Sequence, residues 1–82
     1  MPMLSESQLH WRCRRGVREL DVLFNRFVTD HYPSLEDEQK QTFQELLEVQ
    51  DPTIMDWLFE KESPEDIKMQ GLVSLLKKVS GF

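Results

Sequence analysis

Hydrophobic positions recur along this 82-residue chain at helical spacing, with no alternating β-branched run. Leu20, Leu23, Phe24, Phe27 and Val28 follow an i, i+3, i+4, i+7 stripe. They predict an amphipathic helix that starts near Val17 and ends at Asp30-His31-Tyr32-Pro33, because the residue before proline is pushed out of the α region. Upstream, Ser5 reads as an N-cap and Gln8 occupies the third helical position, as a capping box requires. Leu4 and Leu9 stand where a hydrophobic staple places them. This first helix is expected to run through His10 and Trp11 to about Arg15, with Gly16 as the left-handed residue that closes it.

Downstream, Ser34 is expected to cap a third helix, with Glu36, Asp37 and Glu38 in its first turn and Phe43, Leu46 and Leu47 on its buried face. Asp51-Pro52 and Ser63-Pro64 read as two further starts, a cap followed by proline at the first helical position. The fourth helix offers Ile54, Trp57 and Leu58 to the core. The fifth offers Ile67, Leu72, Leu75, Leu76 and Val79, carries Lys77 and Lys78 in its last turn, and stops near Gly81. The expected architecture is all-α, a compact bundle of about five short helices forming one domain over residues 1–82.

Composition narrows the function. The net charge of −5 argues against general nucleic-acid binding and against anionic membranes. One cysteine excludes an internal disulfide, and no apolar run is long enough to span a bilayer. The N-terminus has neither a basic head nor an apolar h-region, so a cytoplasmic location is expected. The charge is unevenly spread, with Arg12, Arg14, Arg15 and Arg18 inside seven positions of an acidic chain. Clustered like charges repel, and a mid-helix glycine is unfavourable by about 1 kcal/mol relative to alanine. A local rule broken this way points to a functional surface.

Several chemistries compete for this stretch. Glu6, His10 and Cys13 share a helical face, but a zinc site needs four ligands with recognisable pair spacing, and no second Cys or His pair exists. Cys13 beside arginines is a candidate thiolate with His10 three residues away, yet a small bundle seldom supplies the orienting group, oxyanion hole and cleft that such catalysis needs. Helix–glycine–helix superficially resembles a helix-turn-helix, but the would-be reading helix carries only Arg18 and Arg26 as cations. A protein-docking surface fits better, since arginine and tryptophan dominate interface hot spots and glycine permits close backbone approach. The plain alternative is that Gly16 only ends a helix and Arg15 only pairs with Glu19 across the turn.

Arg15-Gly16-Val17-Arg18-Glu19 resembles the R-G-x-x-E signature of the small succinate dehydrogenase assembly factors, the flavinylation factors of bacteria and mitochondria. Bacterial members also carry the description of candidate antitoxins. The likeness extends through His10-Trp11-x-Cys13-Arg14 and Leu20-Asp21. A second block, Leu46-Leu47-Glu48-x-x-Asp51-Pro52-x-Ile54-x-x-Trp57-Leu58, is also similar to that family. Val17 departs from the methionine common in bacterial members.

The resemblance implies a five-helix bundle that promotes covalent attachment of FAD to a histidine of the flavoprotein subunit of succinate dehydrogenase, and in some bacteria of fumarate reductase. It implies a chaperone, not an enzyme, with no cofactor of its own. By the resemblance, Arg15, Gly16 and Glu19 belong to the client-binding surface; Trp11, Arg14, Arg18 and Asp21 flank that signature and are assigned to the surface as an extension of it. A monomer when free is expected, with no nucleic-acid partner and no direct membrane insertion. The runner-up is an antitoxin-like or nucleic-acid-associated regulator using the same arginines.

Overall fold

Among the described residues the chain forms five α-helices and one 3-10 turn: α1 (Glu6–Arg12), α2 (Arg18–Asp30), the turn Tyr32–Ser34, α3 (Asp37–Leu46), α4 (Asp51–Leu58) and α5 (Ile67–Ser80). The computed structural model describes residues 5–80, without the Glu6 side chain. The expected staple at Leu4 and the stop near Gly81 lie outside the described residues. No strand forms among those described, and the all-α expectation holds. The Cα radius of gyration is 11.7 Å, as for a compact chain of this length.

Side-chain caps form at α1, α3 and α5 but not at α2 or α4, and three starts shift from the expected positions. The α1 capping box forms as read: Gln8 N–H donates to Ser5 Oγ at 3.3 Å and Ser5 N–H to Gln8 Oε1 at 2.9 Å. At α3 the cap is Glu36, not Ser34, and the Gln39 side chain reaches back to the Glu36 N–H at 3.0 Å. Ser34 instead sits in the 3-10 turn, donating its hydroxyl to the His31 carbonyl at 2.9 Å. At α4 the cap is Gln50, which leaves Asp51 and Pro52 as the first two helical residues. At α5 the Ser63-Pro64 pair lies in the preceding loop. Pro64 is buried, its carbonyl accepts from Gln70 Nε2 at 2.6 Å, and Asp66 Oδ1 receives the Lys68 N–H at 2.8 Å.

The first helix also ends sooner than expected. It stops at Arg12 with Cys13 as its C-cap, and residues 14–17 form an open bend. Gly16 lies in that bend with φ outside the left-handed range, so it is not the left-handed cap that the pattern suggested.

The core is aromatic at its centre. Phe43 of α3 meets Phe24 edge-on at 5.9 Å, Phe27 at 5.0 Å and Tyr32 at 5.6 Å between ring centroids. Burying each phenylalanine contributes roughly 1.5–3 kcal/mol. Tyr32 keeps its hydroxyl satisfied by accepting from Gln44 Nε2 at 3.2 Å. Leu46, Ile54, Leu58 and Leu76 extend the core through α3, α4 and α5. Trp57, read as core, is only partly buried, packed against it. Ile67 is 81% exposed, contrary to expectation. The α5 stripe is Met69, Leu72, Val73 and Leu76, and Ile67 lies about 140° around the helix from Leu72.

Candidate functional site

The two segments that carried the resemblance meet in space. Arg15, in the bend between α1 and α2, reaches across to the connection between α3 and α4. Its Nη1 donates to the Val49 carbonyl at 3.0 Å and lies 3.3 Å from Asp51 Oδ1, and its Nη2 donates to the Leu47 carbonyl. The guanidinium also lies 5.5 Å from the centroid of the Phe24 ring. The other Asp51 oxygen accepts the Val17 N–H at 3.2 Å. Asp51 thus ties down both the bend and the start of α2. Side-chain exposure is 11% for Arg15 and 16% for Asp51, so the pair works in a largely water-free setting, where charge-assisted hydrogen bonds are strongest.

This clamp is why α1 ends early. Continuing the helix to Arg15 would not leave the chain free to present that guanidinium to three acceptors on another connection. The Arg15–Glu19 pair of the plain alternative does not form among the described residues; Arg15 pairs with Asp51 instead. Arg12 makes a second tie to the same connection, 2.6 Å from Glu48. The clustered arginines therefore do not form one bare cationic knob. Two of the four are neutralised by carboxylates of the stretch 48–51. The missed partner was Asp51, which the sequence marked only as a helix start and as part of the second block of the resemblance.

What remains on the surface is arranged around the first half of α2. On the side facing α1, Trp11 is 69% exposed and the Arg14 guanidinium sits 5.2 Å from its ring centroid, a cation–π pair that holds both. His10 Nδ1 is 2.7 Å from Asn25 Oδ1, and Asn25 Nδ2 donates to the Asp21 carbonyl at 2.8 Å and carboxylate at 2.7 Å. Asp21, expected on the docking surface, is half-buried and orients Asn25, which in turn orients His10. His10, Trp11, Arg14 and Asn25 line a shallow depression. Gly16, Arg18 and Glu19 are exposed between this depression and the opposite flank of α2. A Cβ on Gly16 would meet nothing nearer than Asp51 Oδ2 at 3.9 Å, an ordinary contact, so nothing inside the molecule requires glycine there.

Cys13 behaves unlike a reactive thiol. It is fully buried under α1, and burial pushes its pKa up to about 12, against a lowering by Arg15 and with a further rise from Asp21. The lowered value that neighbouring arginines suggested is overturned by desolvation, the larger effect. Among the described residues no three His, Cys, Asp or Glu side chains gather as a metal cluster would. Nor is any helix among them long and apolar enough to cross a membrane.

Comparison with known proteins gives the surface a family. Residues 7–80 match the family model described as flavinator of succinate dehydrogenase. The chain is 39% identical over 77 residues to the FAD assembly factor SdhE of Yersinia pestis, covering 94% of this chain and 88% of that protein. It is 36% identical to the SdhE of Pectobacterium atrosepticum, with the same coverage. With the SdhE of Coxiella burnetii it shares 34% identity over 94% of both chains. With its signature arginine clamped inside and its glycine, glutamate and tryptophan outside, the chain belongs to the flavinator of succinate dehydrogenase family.

Proposed function

We infer that this protein is an assembly chaperone that promotes covalent attachment of FAD to the flavoprotein subunit of succinate dehydrogenase, and of fumarate reductase where a host has one. The observation that carries the reading is the division of labour within the signature. Arg15 fixes the bend through Asp51, and the fixed bend presents Gly16, Arg18 and Glu19 beside Trp11 and Arg14. The surface is preorganised, so docking loses little conformational entropy. The family's description supports succinate dehydrogenase as the client, and the relatives' name, FAD assembly factor, supports the cofactor.

The chain acts by positioning. It docks on the flavoprotein and holds it where the flavin's reactive carbon faces the acceptor histidine. Orientation alone can lower a barrier by several kcal/mol, so the flavin and the histidine, both held by the client, supply the chemistry. The factor carries no cofactor of its own, is not an enzyme, works in the cytoplasm and is a monomer when free.

The arginine-patch alternative, a nucleic-acid-associated or antitoxin-like regulator, has less to work with. Arg12 and Arg15 are engaged by Glu48 and Asp51, which leaves few free cations for a phosphate backbone.

The test is Gly16→Arg. The backbone conformation and open surroundings at Gly16 admit a side chain, so the variant folds, as circular dichroism will show. In cells relying on it, the client's covalent flavin, read by in-gel fluorescence, is expected to fall to the level of a deletion strain. A folded Gly16→Arg protein that supports normal flavinylation overturns the docking assignment.

A further inference from the structure

The flank of α2 turned away from α1 carries a feature that the signature does not explain. A groove of about 380 Å³ runs between α2 and the end of α5. Phe27 and Val79 contribute to its apolar surface, and Val22, 53% exposed, stands at its rim. Arg18 and Arg26 flank Val22 at i−4 and i+4 on the same helical face. Neither arginine has an ion-pair partner among the described residues. In a chain of net charge −5, two unpaired arginines bracketing an exposed valine are a departure that the fold does not need.

We propose that this groove receives an acidic segment of the client flavoprotein with an apolar side chain at its centre. The proposal rests on the chaperone reading above and extends its docking surface around α2 to α5. The apolar side chain enters between Val22, Phe27 and Val79, and carboxylates on either side pair with Arg18 and Arg26. The two arginines are eight positions apart on the helix, about 12 Å along the axis. That spacing matches carboxylates two turns apart on a partner helix, or about four residues apart on an extended strand. Continuity argues for the same partner, since Arg18 and Glu19 of the signature also line the groove.

The experiment titrates the full chain with purified, unflavinylated flavoprotein subunit by isothermal calorimetry. Arg26→Glu and Val22→Glu are compared with wild type and with Gly16→Arg. Both groove residues are exposed, and melting curves check that the variants fold. The expected result is a loss of affinity of about tenfold or more for each, as for interfacial charge pairs, with Arg26→Lys largely restoring binding. If Arg26→Glu and Val22→Glu bind as wild type while Gly16→Arg does not, the groove is idle: this inference falls and the chaperone reading stands. If Gly16→Arg also binds normally and the client is loaded with flavin, both fall. Titration with FAD alone supplies a further control. Arg26-dependent binding of the free dinucleotide makes the occupant a small anion and overturns the acidic segment. A concentration-dependent dimer that Val22→Glu abolishes would assign the groove to a second copy of the chain, with the same consequence.

Discussion

Arg15 and Gly16 are neighbours in the chain with opposite roles. Arg15 is held by two carbonyls and a carboxylate with little exposure, so its removal acts through folding. Asp51→Ala leaves the guanidinium without its counter-charge and the Val17 N–H without its acceptor, and is expected to lower stability by about 3–5 kcal/mol. Urea unfolding measures this directly. Gly16→Ala should leave stability unchanged or raise it by about 0.4–1 kcal/mol. If the two variants destabilise equally, the clamp and the surface have been wrongly separated. Cys13 gives a pH test. Burial pushes its thiol pKa up to about 12 in the folded state, whereas in the unfolded chain it ionises near its ordinary value of 9.0. Below pH 9 the two states bind the same proton and there is no slope. Between 9 and 12 the unfolded state gives it up first, so stability falls as pH rises, by at most about 1.4 kcal/mol per unit. Against a Cys13→Ala reference, that part of the slope should vanish. Cys13→Ser should lose stability but keep flavinylation.

At the level of elements, the helices were legible in the sequence and their ends were less so. The α2 stripe and the α1 capping box appear as read, because both depend on short-range periodicity and local hydrogen bonds. The α3, α4 and α5 caps moved by one to three residues. Glu36 and Asp66 took over from the expected Ser34 and Ser63, while α4 starts after Gln50, whose side chain makes no cap hydrogen bond. The α1 end was misplaced for a different reason: a contact between residues 32–36 apart decides it, and such a contact leaves no periodic trace. The same cause hid the inward role of Arg15, while the exposed members of the candidate site, Trp11, Arg14, Gly16, Arg18 and Glu19, were all named from the sequence. The α5 register gives a test. Ile67→Ala should shift stability by less than about 0.5 kcal/mol, while Met69→Ala, 7% exposed, should cost about 2–5 kcal/mol. The reverse order would place Ile67 in the core after all.

For the whole molecule, 82 residues imply a total stability of only about 4–12 kcal/mol. The clamp and the aromatic cluster around Phe43 account for a large share of it. A bundle this small gains its function by holding a few exposed groups rigidly, and the acidic remainder of the chain supplies the carboxylates that make a local run of arginines tolerable. On the function proposed above, this rigid surface is needed for a flavoprotein to acquire its covalent flavin. The most direct measurement is the in-gel flavin fluorescence of the denatured succinate dehydrogenase flavoprotein from a host lacking this chain, complemented in turn with wild type and Glu19→Ala. A dark band is expected in the deletion strain, a bright one with wild type, and a strongly weakened one with Glu19→Ala despite normal folding. A bright band in the deletion strain, appearing at the usual rate, would contradict it.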